Sequence, residues 1–172
     1  MFIYSTLLII GAAFAFSLPP HIIDKELRQL AEEYEYRTPP QPSNIETTLV
    51  RMTFVNTRTF CANSFYHSLL DICIELEDGN VNPSILGICY PLPTPIYADG
   101  IYMAIELDER LKGSPLLLEK VLWHELGHCI HGLGHDEANY IMMSEASNPF
   151  SRAHLEMQKH LYIKYLKKEL KK

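Results

Sequence analysis

Residues 124 to 135 read HELGHCIHGLGH, which gathers four of the chain's eight histidines into twelve positions beside one glutamate. Residues four apart in an α-helix lie one above the other, so His124 and His128 can aim their imidazoles at one point about 2 Å from each. Glu125 projects beside them, close enough to take a proton from a metal-activated water without itself binding the metal. Two neutral nitrogens on one cation with a carboxylate alongside is a set suited to metal-assisted hydrolysis.

A catalytic zinc site commonly takes three protein donors and leaves a fourth position for water. Four residues compete for the third place. His131 shares the helical face, but a rise of about 10.5 Å separates it from His124, too far for both rings to converge while the helix stays regular. His135 follows Gly132-Leu133-Gly134, where the backbone can reverse and bring a ring in from another direction, and it is the favoured donor. Cys89, in the upstream run LGICYP, offers a thiolate, and Glu145 offers a downstream carboxylate.

These side chains need a rigid helix and a sheet beneath it. Ser114-Pro115 marks the helix start, the hydroxyl being able to cap orphan N–H groups and the proline having the φ of a first turn. Gly132 ends the helix, since glycine adopts the left-handed conformation at little cost. Upstream, 47–55, 69–76 and 85–90 have strand character and are expected in one sheet. The run 100–107 alternates like a half-buried strand, and its proline-rich approach suggests an edge position. Residues 22–36 form an amphipathic helix, closed by TPPQPSN. Residues 151–172 form a final helix whose lysines, Lys159 among them, read as a solvated face.

Length and composition agree with one folding unit: 172 residues, 47% hydrophobic. The net charge of −6 and the scattered basic residues disfavour nucleic acid as a partner. Residues 1–17 are apolar and uncharged, about the length of a signal-peptide core and short for a membrane span, with cleavage expected after Ala15 or Ser17. The expected organisation is therefore a signal peptide (1–17), a helix and proline-rich linker (18–44) that is either a pro-segment or the first helix of the domain, and a catalytic domain (45–172). The mature chain is expected to be extracellular, or periplasmic in a bacterium, monomeric, and free of the membrane. Export would place Cys61, Cys73, Cys89 and Cys129 in an oxidising compartment, where three pairings are open and a free Cys129 thiol remains an alternative.

The run His124-Glu125-x-x-His128, then Gly132-x-x-His135, followed by Tyr140-Ile141-Met142-Met143-Ser144, resembles the metzincin group of zinc endopeptidases. More narrowly, GICY, HELGHC, the later histidine and the "IM" turn are similar to a set of small metallopeptidases from bacterial genomes. The resemblance covers roughly residues 85 to 170. It implies an α+β catalytic domain with a mixed twisted sheet, an antiparallel edge strand, an active-site helix and a C-terminal helix. It also implies one catalytic Zn2+ on His124, His128 and His135, with Glu125 as general base. Met142 would be the floor beneath the metal and Gly132 the turn glycine. Strand residues Ile101, Tyr102, Met103, Ala104 and Ile105 would pair with an extended peptide or protein substrate. This chain departs from the common pattern in having three residues, not two, between His128 and the glycine. Two rival readings stand beside it: a deformylase-like zinc amidase using Cys89, and a non-catalytic, zinc-stabilised secreted binding protein.

Overall fold

The computed structural model describes residues 25–40, 50–57, 73–75, 81–83, 86–91, 103–143 and 149–171. The expected signal peptide, Cys61, Ile101, Tyr102, Ser144 and Glu145 lie outside the described residues. The described part is a small α+β domain: α1 (Lys25–Arg37), β1 (Val50–Val55), β2 (Cys73–Glu75), β3 (Val81–Pro83), β4 (Gly87–Pro91), β5 (Met103–Asp108), a 3-10 turn (Glu109–Gly113), α2 (Pro115–His131) and α3 (Arg152–Glu169). None of the described helices is long and apolar enough to cross a membrane.

The main sheet has the order β1-β5-β4, with β1 parallel and β4 antiparallel to β5. Two expectations are corrected here. Met103, Ala104 and Ile105 are not on an edge, because β5 pairs on both sides and is the central strand. Alternating polarity reports a half-buried strand, which a central strand of a one-sided sheet also shows. Among the described strands the antiparallel edge is β4. The described part of 69–76 is not in this sheet either: β2 pairs with β3 in a separate two-stranded ribbon.

α2 is the hub of the core. A helix apolar around most of its surface is covered on most sides, and Leu118, Val121, Leu122, Trp123, Leu126, Cys129 and Ile130 are all buried. One side meets the sheet, where Gly87 allows closest approach: a Cβ there would lie 2.8 Å from Val121 Cγ1, 2.9 Å from Glu125 Cγ and 2.9 Å from Leu107 Cδ2. The helix begins as expected, with Pro115 in the first turn, but Ser114 makes no side-chain cap bond; its carbonyl accepts from Leu118 N–H instead. Gly132 ends it at φ 62°, ψ 24°.

α1 packs against α2, with Leu27, Ala31 and Tyr34 buried in the same core. Tyr34 stands edge-on to Trp123 at 5.0 Å between ring centroids. Its hydroxyl lies 2.7 Å from His131 Nδ1 and 2.9 Å from Tyr162 Oη, so one hydrogen-bonded row crosses all three helices. His131 Nε2 reaches the Pro39 carbonyl at 3.2 Å, which fixes the ring facing α1 and away from the other histidines of its run.

Lys159 corrects the reading of α3 as a wholly solvated lysine face, since it is fully buried. Its Nζ bonds Glu119, Glu33 at 3.0 Å and Glu156 at 3.3 Å, and it lies 4.4 Å from the Trp123 ring centroid. Arg37 joins Glu33 at 2.6 Å and Glu156 at 2.8 Å, while Arg152 joins Glu119. Three carboxylates thus meet three cations where α1, α2 and α3 converge. Glu33, Glu119 and Glu156 are close enough to hold a metal, but Lys159 already supplies the positive charge there.

Candidate metal centre

One ring nitrogen from each of His124, His128 and His135 lies within 4.8 Å of the others. The third ring arrives from the segment after Gly132, stacked on His124 at 5.2 Å between centroids and 5.0 Å from His128. A tetrahedral zinc needs nitrogens about 3.4 Å apart, given bonds of about 2.0–2.1 Å. The helix pair, at 2.9 Å, is closer than that spacing, and all three nitrogens lie within 4.8 Å of one another.

The backbone fixes which nitrogen of each helix ring faces inward. His124 Nδ1 lies 2.8 Å from the Ile141 carbonyl and His128 Nδ1 lies 2.5 Å from the Leu133 carbonyl. A carbonyl only accepts, so each Nδ1 carries the proton and each Nε2 presents a lone pair. Those two Nε2 atoms are 2.9 Å apart. Two lone pairs facing each other at that distance repel unless a cation lies between them. The donor set therefore fits a divalent metal, and the carbonyls of Ile141 and Leu133 orient the rings as outer hydrogen-bond partners do at metal sites.

The segment that returns His135 is closed on itself. Asp136 N–H donates to the Met142 carbonyl at 2.9 Å, Asn139 N–H to the Asp136 carbonyl at 2.9 Å, and Met142 N–H to the Asn139 carbonyl at 2.8 Å. The side chains of Asp136 and Asn139 accept from Ala138 and Ile141 N–H. This short closed loop ties the residue after His135 to the residue after Ile141, whose carbonyl holds His124.

Met142 is fully buried in the core against α2. A Cβ on Gly127 would lie 2.7 Å from Met142 Sδ and 2.6 Å from Tyr162 Oη, so the helix backbone approaches both because residue 127 has no side chain. Met142 is fully buried, whereas Met143 is half-buried.

Glu125 is buried on the sheet side of α2, 5% exposed. Burial pushes its carboxyl up to about 8, while the Cys89 backbone N–H bonded to it works in the opposite direction by favouring the charged form. Burial also lowers His124 to about 4, with the neighbouring His128 adding to the effect, and lowers His128. Both rings are neutral at pH 7 and available to a metal. Lys120, one turn before His124, is lowered to about 8 by burial and lies 4.1 Å from the Tyr140 ring centroid.

Cys89 is not a third donor, because its sulfur is bonded to Cys129. That also corrects the alternative of a free Cys129 thiol. Each reading followed from the cysteine's position along the chain, which carries no information on what faces it across the sheet. Sequence reasoning missed Gly87, Gly127, the two anchoring carbonyls and the Cys89 amide. The glycines left a signal, since glycine inside a helix or strand weakens it and calls for a packing reason; the backbone groups left none. No family model matches this chain, and no curated protein or solved structure matches it.

Proposed function

We propose that this chain is a secreted zinc endopeptidase of metzincin-like design, acting on peptides or proteins. The observation that carries the reading is the facing pair of Nε2 lone pairs on His124 and His128, 2.9 Å apart and each fixed by a backbone carbonyl on the opposite nitrogen. His135 completes the donor set. A zinc ion held there would supply Lewis acidity for the scissile carbonyl and bring the pKa of water towards roughly 7.

The protein's own groups account for the remaining steps. Glu125, next to His124 and bonded by the Cys89 amide, removes the proton from the attacking water and returns it to the departing amine. A divalent charge held by the three rings would favour its carboxylate form. Ile141 and Leu133 hold the rings, and Met142 packs on the Gly127 backbone of the helix that carries two of them. With β5 paired on both sides, β4 is the strand to which an extended substrate would add, and Gly87 and Cys89 bring β4 against Glu125.

The test is Glu125→Gln with zinc content and peptide cleavage measured together. Zinc should remain near one equivalent while cleavage falls by about 100-fold or more, the span of general-base contributions. Full cleavage by this variant would refute the mechanism. Stoichiometric zinc in the unaltered protein without cleavage of any member of a diverse peptide library would favour a zinc-stabilised binding protein.

A further inference from the structure

We propose that the Cys89–Cys129 disulfide is a positioning element of this centre, one covalent bond that fixes both the last turn of α2 and the strand amide facing Glu125. The inference rests on the zinc reading above and concerns how its parts are held.

At the helix end of the bond, Cys129 directly follows His128, three residues before α2 stops at Gly132. The last turn of a helix has carbonyls without intrahelical partners and is where a helix opens first. That turn carries His128, and the Leu133 carbonyl that holds His128 Nδ1 hangs directly from it. Gly132 N–H to the His128 carbonyl at 3.1 Å and Leu133 N–H to the Gly127 carbonyl at 3.2 Å close the turn by hydrogen bonds. The disulfide adds a covalent tie to the sheet at the same place.

At the strand end, Cys89 sits in the middle of β4, which pairs with β5 and is the outer strand of the described sheet. Among the described strands β4 pairs with β5 alone, and it is joined to α2 by side-chain packing, by the Cys89 amide and by this bond. The Cys89 N–H donates to the Glu125 carboxylate, and Gly87, two residues earlier, abuts Glu125 Cγ. The sulfur link and the amide contact belong to the same residue. Breaking the link frees the strand to move away from the base and frees the turn that presents His128.

The experiment compares the disulfide-bonded protein with Cys89→Ala/Cys129→Ala and with wild type reduced by a phosphine and then reoxidised. Four quantities are read: zinc affinity, the visible spectrum of the Co2+-substituted protein, hydrogen exchange of the residue-89 amide, and the separate values of kcat and KM. Loss of the bond should weaken zinc binding by about tenfold, as loss of an outer partner of a metal ligand does. It should also alter the Co2+ bands, speed exchange of the residue-89 amide, and lower kcat with little change in KM. Reoxidation should restore all four. A reduced or doubly substituted protein that stays folded with unchanged zinc affinity, Co2+ spectrum and residue-89 protection overturns the proposal and leaves the bond a stabiliser of the fold. If the double variant does not fold, the reduced and reoxidised zinc-loaded protein gives the same comparison. Failure of the unaltered protein to bind zinc at all would instead sink the endopeptidase reading, while the amide exchange would still report whether the bond holds β4 on Glu125.

Discussion

Gly127→Ala tests how closely the core is fitted to the metal centre. In an ordinary helix interior this change stabilises by about 0.8–1.0 kcal/mol, because alanine is the better helix former. Here the new methyl would lie 2.6 Å from Tyr162 Oη and 2.7 Å from Met142 Sδ, both inside the 3.0 Å that Cβ atoms essentially never cross. Neither neighbour has free space: both residues are fully buried, and Tyr162 Oη is bonded to Tyr34 Oη at 2.9 Å. Overpacking of this kind costs about 1–3 kcal/mol, so the net expected loss is up to about 2 kcal/mol after the helix gain is subtracted. Displacing Met142 also drags the adjacent Ile141 carbonyl from His124 Nδ1, so zinc affinity should fall together with stability. Urea unfolding of the metal-free protein and zinc titration of the folded protein measure the two effects. Gly113→Ala is the control, since a methyl added there would meet no atom within 4 Å. A Gly127→Ala protein more stable than wild type with unchanged zinc affinity would refute the packing argument.

Lys159→Met should destabilise by about 3–5 kcal/mol in chemical denaturation, because it leaves Glu33, Glu119 and Glu156 without their shared buried cation; near-wild-type stability would show that the network is not holding the helices. Gly132→Ala should cost about 1–2 kcal/mol by thermal unfolding, the strain of a left-handed residue with a side chain at φ 62°, with Gly132→Asn milder. The pH dependence has a defined sign. His124 is lowered to about 4 in the fold against about 6.5 in the unfolded chain, so the unfolded state binds more protons between those values. Stability of the metal-free protein should therefore rise with pH across that window, and His124→Gln should flatten the slope measured by urea unfolding from pH 4 to 7.

The helix that carries the site was legible to the residue, because Pro115 and Gly132 are backbone signals that act locally. The convergence of His124, His128 and His135 was legible for the same reason, since helical spacing and a glycine turn decide where rings can point. Strand order was not. Whether 103–108 lies at the centre or the edge depends on what pairs with it from residues 50–55 and 87–91, and the alternation of its own side chains is the same in either place. Lys159 was hidden because its lysine neighbours on α3 are solvated, whereas its own face meets three acids from α1, α2 and α3. The Cys89–Cys129 bond joins residues 40 apart, and only the packing of β4 on α2 distinguishes it from the other pairings.

The identity of the metal's neighbours is the most direct test of a three-histidine centre. X-ray absorption of the zinc-loaded protein should show three imidazole nitrogens and one oxygen at about 2.0–2.1 Å, and His135→Ala should lose one imidazole and bind zinc more weakly. A sulfur neighbour at about 2.3 Å, or a zinc environment unaffected by His135→Ala, would contradict the assignment of His124, His128 and His135 as the ligands.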